Sequence, residues 1–239
     1  MGFYRGPKIV TDGLALVTDP ASERCYPGSG TTVFDLSGNN RNGTLGNGLS
    51  VSSGVLNFTD SGDNVGYGTS FIIGDAKTLS FWIKSDRPLS TTDNWEIGFL
   101  NQGSTPGTMF GMMYGVGQCQ DLGFWGYGSS YDMSVEAVNN KWSSDGNWHN
   151  VVVTEDSSRN VKIWVDNIQK QWLLHSDYST LAYSVQLPVA TTNYFLINSR
   201  GGWTSGTTYI DLADVMVYNK ALSIDEISQN YNALKSRFI

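Results

Sequence analysis

The residues best equipped for chemistry lie in one aromatic-rich stretch, Tyr114 to Tyr131, which sets Tyr114, Gln118, Gln120, Asp121, Phe124, Trp125, Tyr127 and Tyr131 among many glycines. Aromatic faces stack on sugar rings, while amides and carboxylates nearby bind the hydroxyls. The carbohydrate-binding set expected on this basis is Tyr114, Trp125 and Tyr127, with Trp142 and Trp203 added from loop-like contexts. The competing reading gives the same rings to the core and to a subunit interface.

Catalytic chemistry has less to work with. Glycan cleavage by a carboxylate pair needs two acids flanking the scissile bond, and two acids on one strand face must follow the strand period. Glu136 in Val135-Glu136-Ala137-Val138 and Glu96 in Trp95-Glu96-Ile97 each lack a second acid at the required offset. The two histidines, His149 and His175, offer few bases, and no Gly-x-Ser-x-Gly nucleophile elbow occurs. The glycines from Gly111 to Gly117 lack the Lys-Ser/Thr that a phosphate loop needs. No catalytic residue is therefore expected. Oxygen donors gather at Asp35, Asn39 and Asn40, at Asp60 and Asp63, and at Asp211 and Asp214. Calcium takes such ligands, but Asp and Asn also cap their own turns routinely, and no cofactor is the default expectation.

Composition narrows the scaffold that would position these groups. The chain has 239 residues, 15% of them charged, with 27 glycines and 8 Trp, 12 Tyr and 10 Phe. That profile suits many short strands joined by tight turns, and the length fits one large β-domain. A formal net charge of −7 without a dense Lys/Arg cluster argues against nucleic acid and against an anionic membrane as partners. No apolar run has the length of a membrane span, and the N-terminal MGFYRGPKIV lacks a signal-peptide hydrophobic stretch, so Sec export is not expected. Cys25 and Cys119 form no CxxC pair; two reduced thiols are expected, with a later disulfide as the alternative.

Residues 1–12 read as an arm without helical or strand period, free to dock on its own sheet or on a neighbour. Leu14 to Val17 reads as a first strand, and the turn-rich segment from Tyr26 to Asn40 as a long ordered loop. Strands are predicted over 55–58, 78–84, 95–100, 108–114, 121–127, 149–155, 161–165, 168–172, 194–198 and 208–218. Their regular spacing points to a sandwich. In 78–84, Leu79, Phe81 and Ile83 share one face, while Ser80, Trp82 and Lys84 share the other, expected to be partly wet. Asp166-Asn167 is a two-residue hairpin turn whose residues both tolerate positive φ. The single helix comes last: Ser223 caps it, Glu226 completes a capping box, and Ile224, Ile227, Tyr231, Leu234 and Phe238 mark its buried face.

Four stretches carry a resemblance: Thr78-Leu79-Ser80-Phe81-Trp82-Ile83-Lys84, Asn147-Trp148-His149-Asn150-Val151-Val152-Val153-Thr154, Val161-Lys162-Ile163-Trp164-Val165-Asp166-Asn167, and Asp214-Val215-Met216-Val217-Tyr218-Asn219-Lys220-Ala221-Leu222-Ser223. In order and spacing they resemble the laminin G-like members of the concanavalin A-like lectin/glucanase superfamily. The resemblance implies an all-β, concanavalin A-like jelly-roll β-sandwich of two antiparallel sheets with a short C-terminal α-helix, occupying residues 13–239 after the arm. His149 then falls in the family's Trp-His motif, as a structural residue at a strand start.

The opening, Gly13-Leu14 through Tyr26-Pro27-Gly28-Ser29-Gly30-Thr31-Thr32 to Asp35-Leu36-Ser37-Gly38-Asn39, and the C-terminal Leu222-Ser223-Ile224-Asp225-Glu226-Ile227 with Gln229 to Lys235, are similar to lectin-like structural proteins of tailed bacteriophages of the myovirus type. This implies a non-enzymatic virion protein, either a capsid decoration or a tail or fibre component. Its expected partners are other virion proteins, a host-surface glycan and further copies of itself in a homo-oligomer. A host-surface lectin or adhesin is the alternative, and a glycoside hydrolase a more remote one. Relatives that hold a structural calcium ion imply Asp35 and Asp214 as the metal pair to test.

Overall fold

The computed structural model describes residues 8–60, 62–68, 77–85, 97–100, 108–112, 122–126, 132–135, 145–158, 160–174, 181–182, 185–186, 196–198 and 210–239. Among them the chain forms nineteen strands and one α-helix, numbered here in chain order. One antiparallel sheet runs β14 (Ile168–Lys170), β13 (Asn160–Val165), β12 (Trp148–Glu155), β7 (Lys77–Ser85), β19 (Ile210–Tyr218), β5 (Val55–Phe58) and β4 (Ser50–Ser52). In the same sheet β1 (Leu14–Thr18) pairs β19, and β17 (Val185–Gln186) pairs β13. The second sheet runs β16 (Leu181–Ala182), β15 (Trp172–Leu174), β11 (Asp132–Val135), β10 (Leu122–Gly126), β9 (Thr108–Met112), β8 (Ile97–Leu100), β18 (Leu196–Asn198), β6 (Asn64–Gly66), β3 (Gly43–Gly46) and β2 (Thr32–Val33). The expected two-sheet antiparallel sandwich is what forms.

The core lies between the sheets. Leu16, Leu56, Phe58, Phe81, Val151, Val161, Ile163 and Leu212 from the first sheet meet Val33, Leu45, Val65 and Ile197 from the second. Each fully buried side chain of this size contributes about 1.5–3 kcal/mol of transfer free energy, and period-two alternation delivers one such residue per two positions of each strand.

The other face of the first sheet is not wet. It carries a second apolar cluster of Val17, Val152, Trp164, Met216 and Tyr218, closed by Val10, Leu222 and Ile227. Trp82 and Ser80, read from the sequence as partly solvated, are buried there. The cover is α1 (Ile224–Leu234), followed by a 3-10 turn at Lys235–Arg237. Ser223 accepts the Glu226 N–H, and Glu226 accepts the Ser223 N–H, so the capping box forms as expected. Tyr231 and Phe238 stack on Trp82 with ring centroids 5.7 and 4.4 Å apart. Ile224, assigned to the buried face, is 52% exposed instead. The staple positions either side of the cap, Leu222 before it and Ile227 after it, fill the core, and Asn230 takes the remaining inward place.

Residues 8–12 of the arm dock on the chain's own surface. Lys8 is held through its carbonyl by Gln229 at 2.8 Å, and Val10 is buried. The Asp166-Asn167 hairpin joins β13 to β14 with φ of 52° and 65°, both in the left-handed region. The segment 168–172 is not one strand: β14 pairs with β13 in the first sheet, while β15 pairs with β11 in the second. Gln171 is where the chain changes sheets. No helix of the described residues is long and apolar enough to cross a membrane.

Candidate functional site

Strand register places the one aromatic candidate that falls within the described backbone. Ile197 and Val65 are core residues and register partners, so positions one residue away from them belong to the face turned away from the core. On that face one row crosses seven strands: Gly46 of β3, Asn64 of β6, Asn198 of β18, Gly98 of β8, Gly111 of β9, Gly123 of β10 and Ser134 of β11. The next row on the same face reads Gly66, Leu196, Leu100, Met109, Trp125 and Asp132. Three successive glycines, Gly98, Gly111 and Gly123, hold adjacent register positions over two strand spacings, a lane of about 10 Å, and Trp125 holds a position in the row beside it. Tyr114, Tyr127, Trp142 and Trp203 lie outside the described residues.

Asn64 shows how the lane is built where side chains are described. Its amide donates to the Gly62 carbonyl at 2.9 Å and lies over Gly46, where an added Cβ would come within 2.7 Å of it. The residue is half-buried. Period-two reasoning on β9 and β10 alone could not have found this row, because it depends on the register of strands distant in sequence. The signal that was legible is the recurrence of glycine two residues from a large apolar residue in Gly98-Phe99-Leu100, Met109-Phe110-Gly111 and Gly123-Phe124-Trp125.

The metal pair is a different matter. Asp35 Oδ1 accepts the N–H groups of Val17 at 3.0 Å and Ser37 at 2.8 Å, while Oδ2 accepts the Ser37 hydroxyl at 2.7 Å and the Arg41 N–H at 3.1 Å. Burial alone would raise its pKa, but these four donors outweigh that and hold it below the usual carboxylate range. Asp214 sits in a bulge of β19 with φ 46°, and both its oxygens accept from Arg237 Nη1, at 2.9 and 2.8 Å. Burial, then the neighbouring Asp19 carboxylate, push Asp214 up to about 7. The two carboxylates thus face different partners, one a set of N–H and O–H donors and the other a guanidinium. No group of three or more His, Cys, Asp or Glu among the described residues could hold a metal.

His149 bridges two carboxylates, Nδ1 to Asp166 at 2.7 Å and Nε2 to Asp145 at 3.2 Å. Burial would lower its pKa, but Asp166 and then Asp145 raise it overall. Asp166 also accepts the Asn150 N–H at 2.9 Å, so this cluster ties β12 to the β13–β14 turn. Cys25 is a free, fully buried thiol pushed up to about 11 by burial; Cys119 lies outside the described residues.

Residues 60–228 match the model of the family described as the concanavalin A-like lectin/glucanases superfamily, of laminin G type. The chain belongs to that superfamily. This member is similar in fold to the sialidase of Trypanosoma rangeli solved in complex with sialic acid, at 14% identity and a TM-score of 0.63, covering 95% of this chain and 34% of that one. It is also similar to the ligand binding domain of botulinum neurotoxin serotype D in complex with N-acetylneuraminic acid, at 15% identity and a TM-score of 0.58, with 93% and 51% covered. The binding domain of Paraclostridial mosquitocidal protein 1 matches at 14% identity and a TM-score of 0.59, with 92% and 52% covered. The superfamily member thus spans between about a third and a half of each of these solved chains. No curated protein sequence matches it. One fold serves both a sialidase and toxin binding domains, so the superfamily's lectin-like, carbohydrate-binding architecture leaves activity to be argued from the site itself.

Proposed function

We propose that the chain is a non-enzymatic carbohydrate-binding module whose glycan lies along the glycine lane of the second sheet. The observation that carries this reading is the row Gly98, Gly111 and Gly123, laid side by side on three strands with Trp125 in the adjacent row. Glycine carries no side chain to stand between a flat sugar ring and the sheet, and tryptophan, the residue type at the neighbouring register position, is one that stacks on sugars. Strands repeat every 4.7–4.9 Å, close to the length of one sugar residue, so a chain of sugars can keep step with the sheet. The commonest glycosidase chemistry sets two carboxylates across the scissile bond. On the described strands this face carries one acid position, Asp132, which supports binding without cleavage.

A glycan array probed with the wild type, Trp125→Ala and Gly111→Val tests the reading. The expected result is glycan binding lost in both variants while their folds persist. Undiminished binding in both, or turnover of a bound glycan, overturns it.

The second element of the proposal is place: a virion component of a tailed bacteriophage, displayed on capsid, tail or fibre with other virion proteins and with copies of itself. Its support is the likeness of the 13–39 and 222–235 segments to such proteins. Cryo-electron microscopy of the particle is the test. Density fitting the helix-covered sandwich is expected, and a particle without it overturns this assignment while leaving glycan binding untouched.

A further inference from the structure

The lane lies on one outward face of the sandwich, and a separate cavity of about 410 Å³ opens on the other sheet, lined by Ser50, Ser52, Asn57, Lys84 and Asp211 among others. Its polar residues form a register row. Ser50 of β4 is paired with Asn57 of β5, Asn57 with Asp211 of β19, and Asp211 with Lys84 of β7. The row then reaches Trp148 of β12, whose ring lies 5.0 Å from Phe238. Here α1 and its 3-10 extension end their cover, and polar side chains replace apolar ones at strand spacing.

The chemistry of the row is specific. Asn57 Nδ2 donates to Asp211 Oδ1 at 2.6 Å, which fixes the orientation of the amide. Its own Oδ1 is buried and meets no donor among the described residues, an acceptor whose desolvation is uncompensated there. Lys84 and Asp211 are register partners, yet they form no ion pair with each other. A hydroxyl set between them donates to the carboxylate and accepts from the ammonium. One carboxylate and one ammonium leave the row without net charge to favour an ionic ligand, and the alternation of acceptor, donor and hydroxyl suits neighbouring hydroxyls that are each donor and acceptor at once. The cavity volume lies in the range of small-molecule sites.

We propose that this cavity is a second carbohydrate site, taking a neutral pyranose through a vicinal diol bound by Asp211, Asn57 and Lys84. It is independent of the glycine lane, which belongs to the other sheet. Removing one charge-assisted hydrogen bond weakens such a complex by about tenfold or more.

The test is a two-dimensional ¹H–¹⁵N titration of the full chain with methyl α-D-mannopyranoside and methyl β-D-galactopyranoside, which between them offer equatorial and axial diols. The expected result is movement of the Asn57, Lys84 and Asp211 amides and of the Asn57 side-chain NH₂, saturating with one of the two glycosides. Asp211→Asn and Lys84→Met should each weaken that titration about tenfold, with the remaining spectrum unmoved, and Trp125→Ala should leave it unchanged. Shifts confined to the strands around Gly98, Gly111 and Gly123 overturn this site while the lane stands. Shifts at the Asp211 row alone keep this site and count against the lane. Absence of any shift at the row with either glycoside at tens of millimolar, or equal affinity in both variants, overturns the proposal.

Discussion

The side-chain carbonyl of Asn230 accepts the backbone N–H of Val10 at 2.7 Å, across 220 positions of sequence. The same amide donates to the Tyr218 hydroxyl at 3.0 Å, and that hydroxyl donates to the Val10 carbonyl at 3.0 Å. A single buried amide therefore ties the arm, the central strand β19 and α1 into one closed network. Asn230→Leu keeps the volume but orphans a buried N–H, with an expected cost of about 1–3 kcal/mol. Urea denaturation measures the loss, and amide exchange at Val10 should rise by more than at β7 or β12.

Ser223 and Glu226 satisfy each other's backbone at the start of α1, at 3.3 and 2.9 Å. Ser223→Ala should cost about 1 kcal/mol, and Ser223→Asp almost nothing. The difference between these two denaturation midpoints isolates the cap from the helix propensity of the substituent.

His149 makes stability depend on pH. Its native pKa is raised above 6.5 by Asp166 and Asp145 against the opposing effect of burial. The protonated imidazole is favoured by folding, so this contribution is complete below pH 6.5 and is lost as pH rises through the native value. His149→Gln should flatten the stability profile in that upper window. A profile as steep as that of the wild type would remove the His149 cluster from the account.

Asp214 slopes the profile in the same direction for another reason. Burial raises its pKa to about 7 from 3.8, so the native state holds a proton that the unfolded state has released across that interval. Stability from this group is complete below about pH 4 and falls as pH rises to 7. Arg237→Met leaves the ionised carboxylate without its guanidinium and should cost about 3 kcal/mol at about pH 8 but less at about pH 5. Equal losses at both would show that Asp214 carries the same charge at each.

Calcium and chelator give a fifth measurement. Asp35 is committed to four N–H and O–H donors and Asp214 to Arg237. Neither excess calcium nor EDTA should change the melting temperature, and a rise with calcium alone would give a metal role to one of these carboxylates.

Much of the scaffold was legible. Alternation marked β5, β7, β12, β13 and β19 to within about two residues, and Asp166-Asn167 and Ser223-x-x-Glu226 announced their own turn and cap, because each signal is local. Short polar strands were not legible: Gly43–Gly46, Ser50–Ser52 and Asn64–Gly66 lack apolar periodicity and exist through pairing with distant strands. The wet face assigned to Trp82 and the inward Ile224 failed for one reason, that the position of a covering helix is a tertiary fact. The sites divide likewise. Trp125 stands out by residue type, whereas Asn57, Asp211 and Lys84 lie far apart in the chain and become neighbours only through the registers of β5, β19 and β7.

The arm and the C-terminal helix settle against the same outward face of the first sheet, where Gln229 and Asn230 hold Lys8 and Val10. A linker or surface tether attached beyond Ile239 consequently leaves from that side of the molecule. A probe ligated there has both sheets between it and the row of Gly98, Gly111 and Gly123, and reports on the contact of arm and helix.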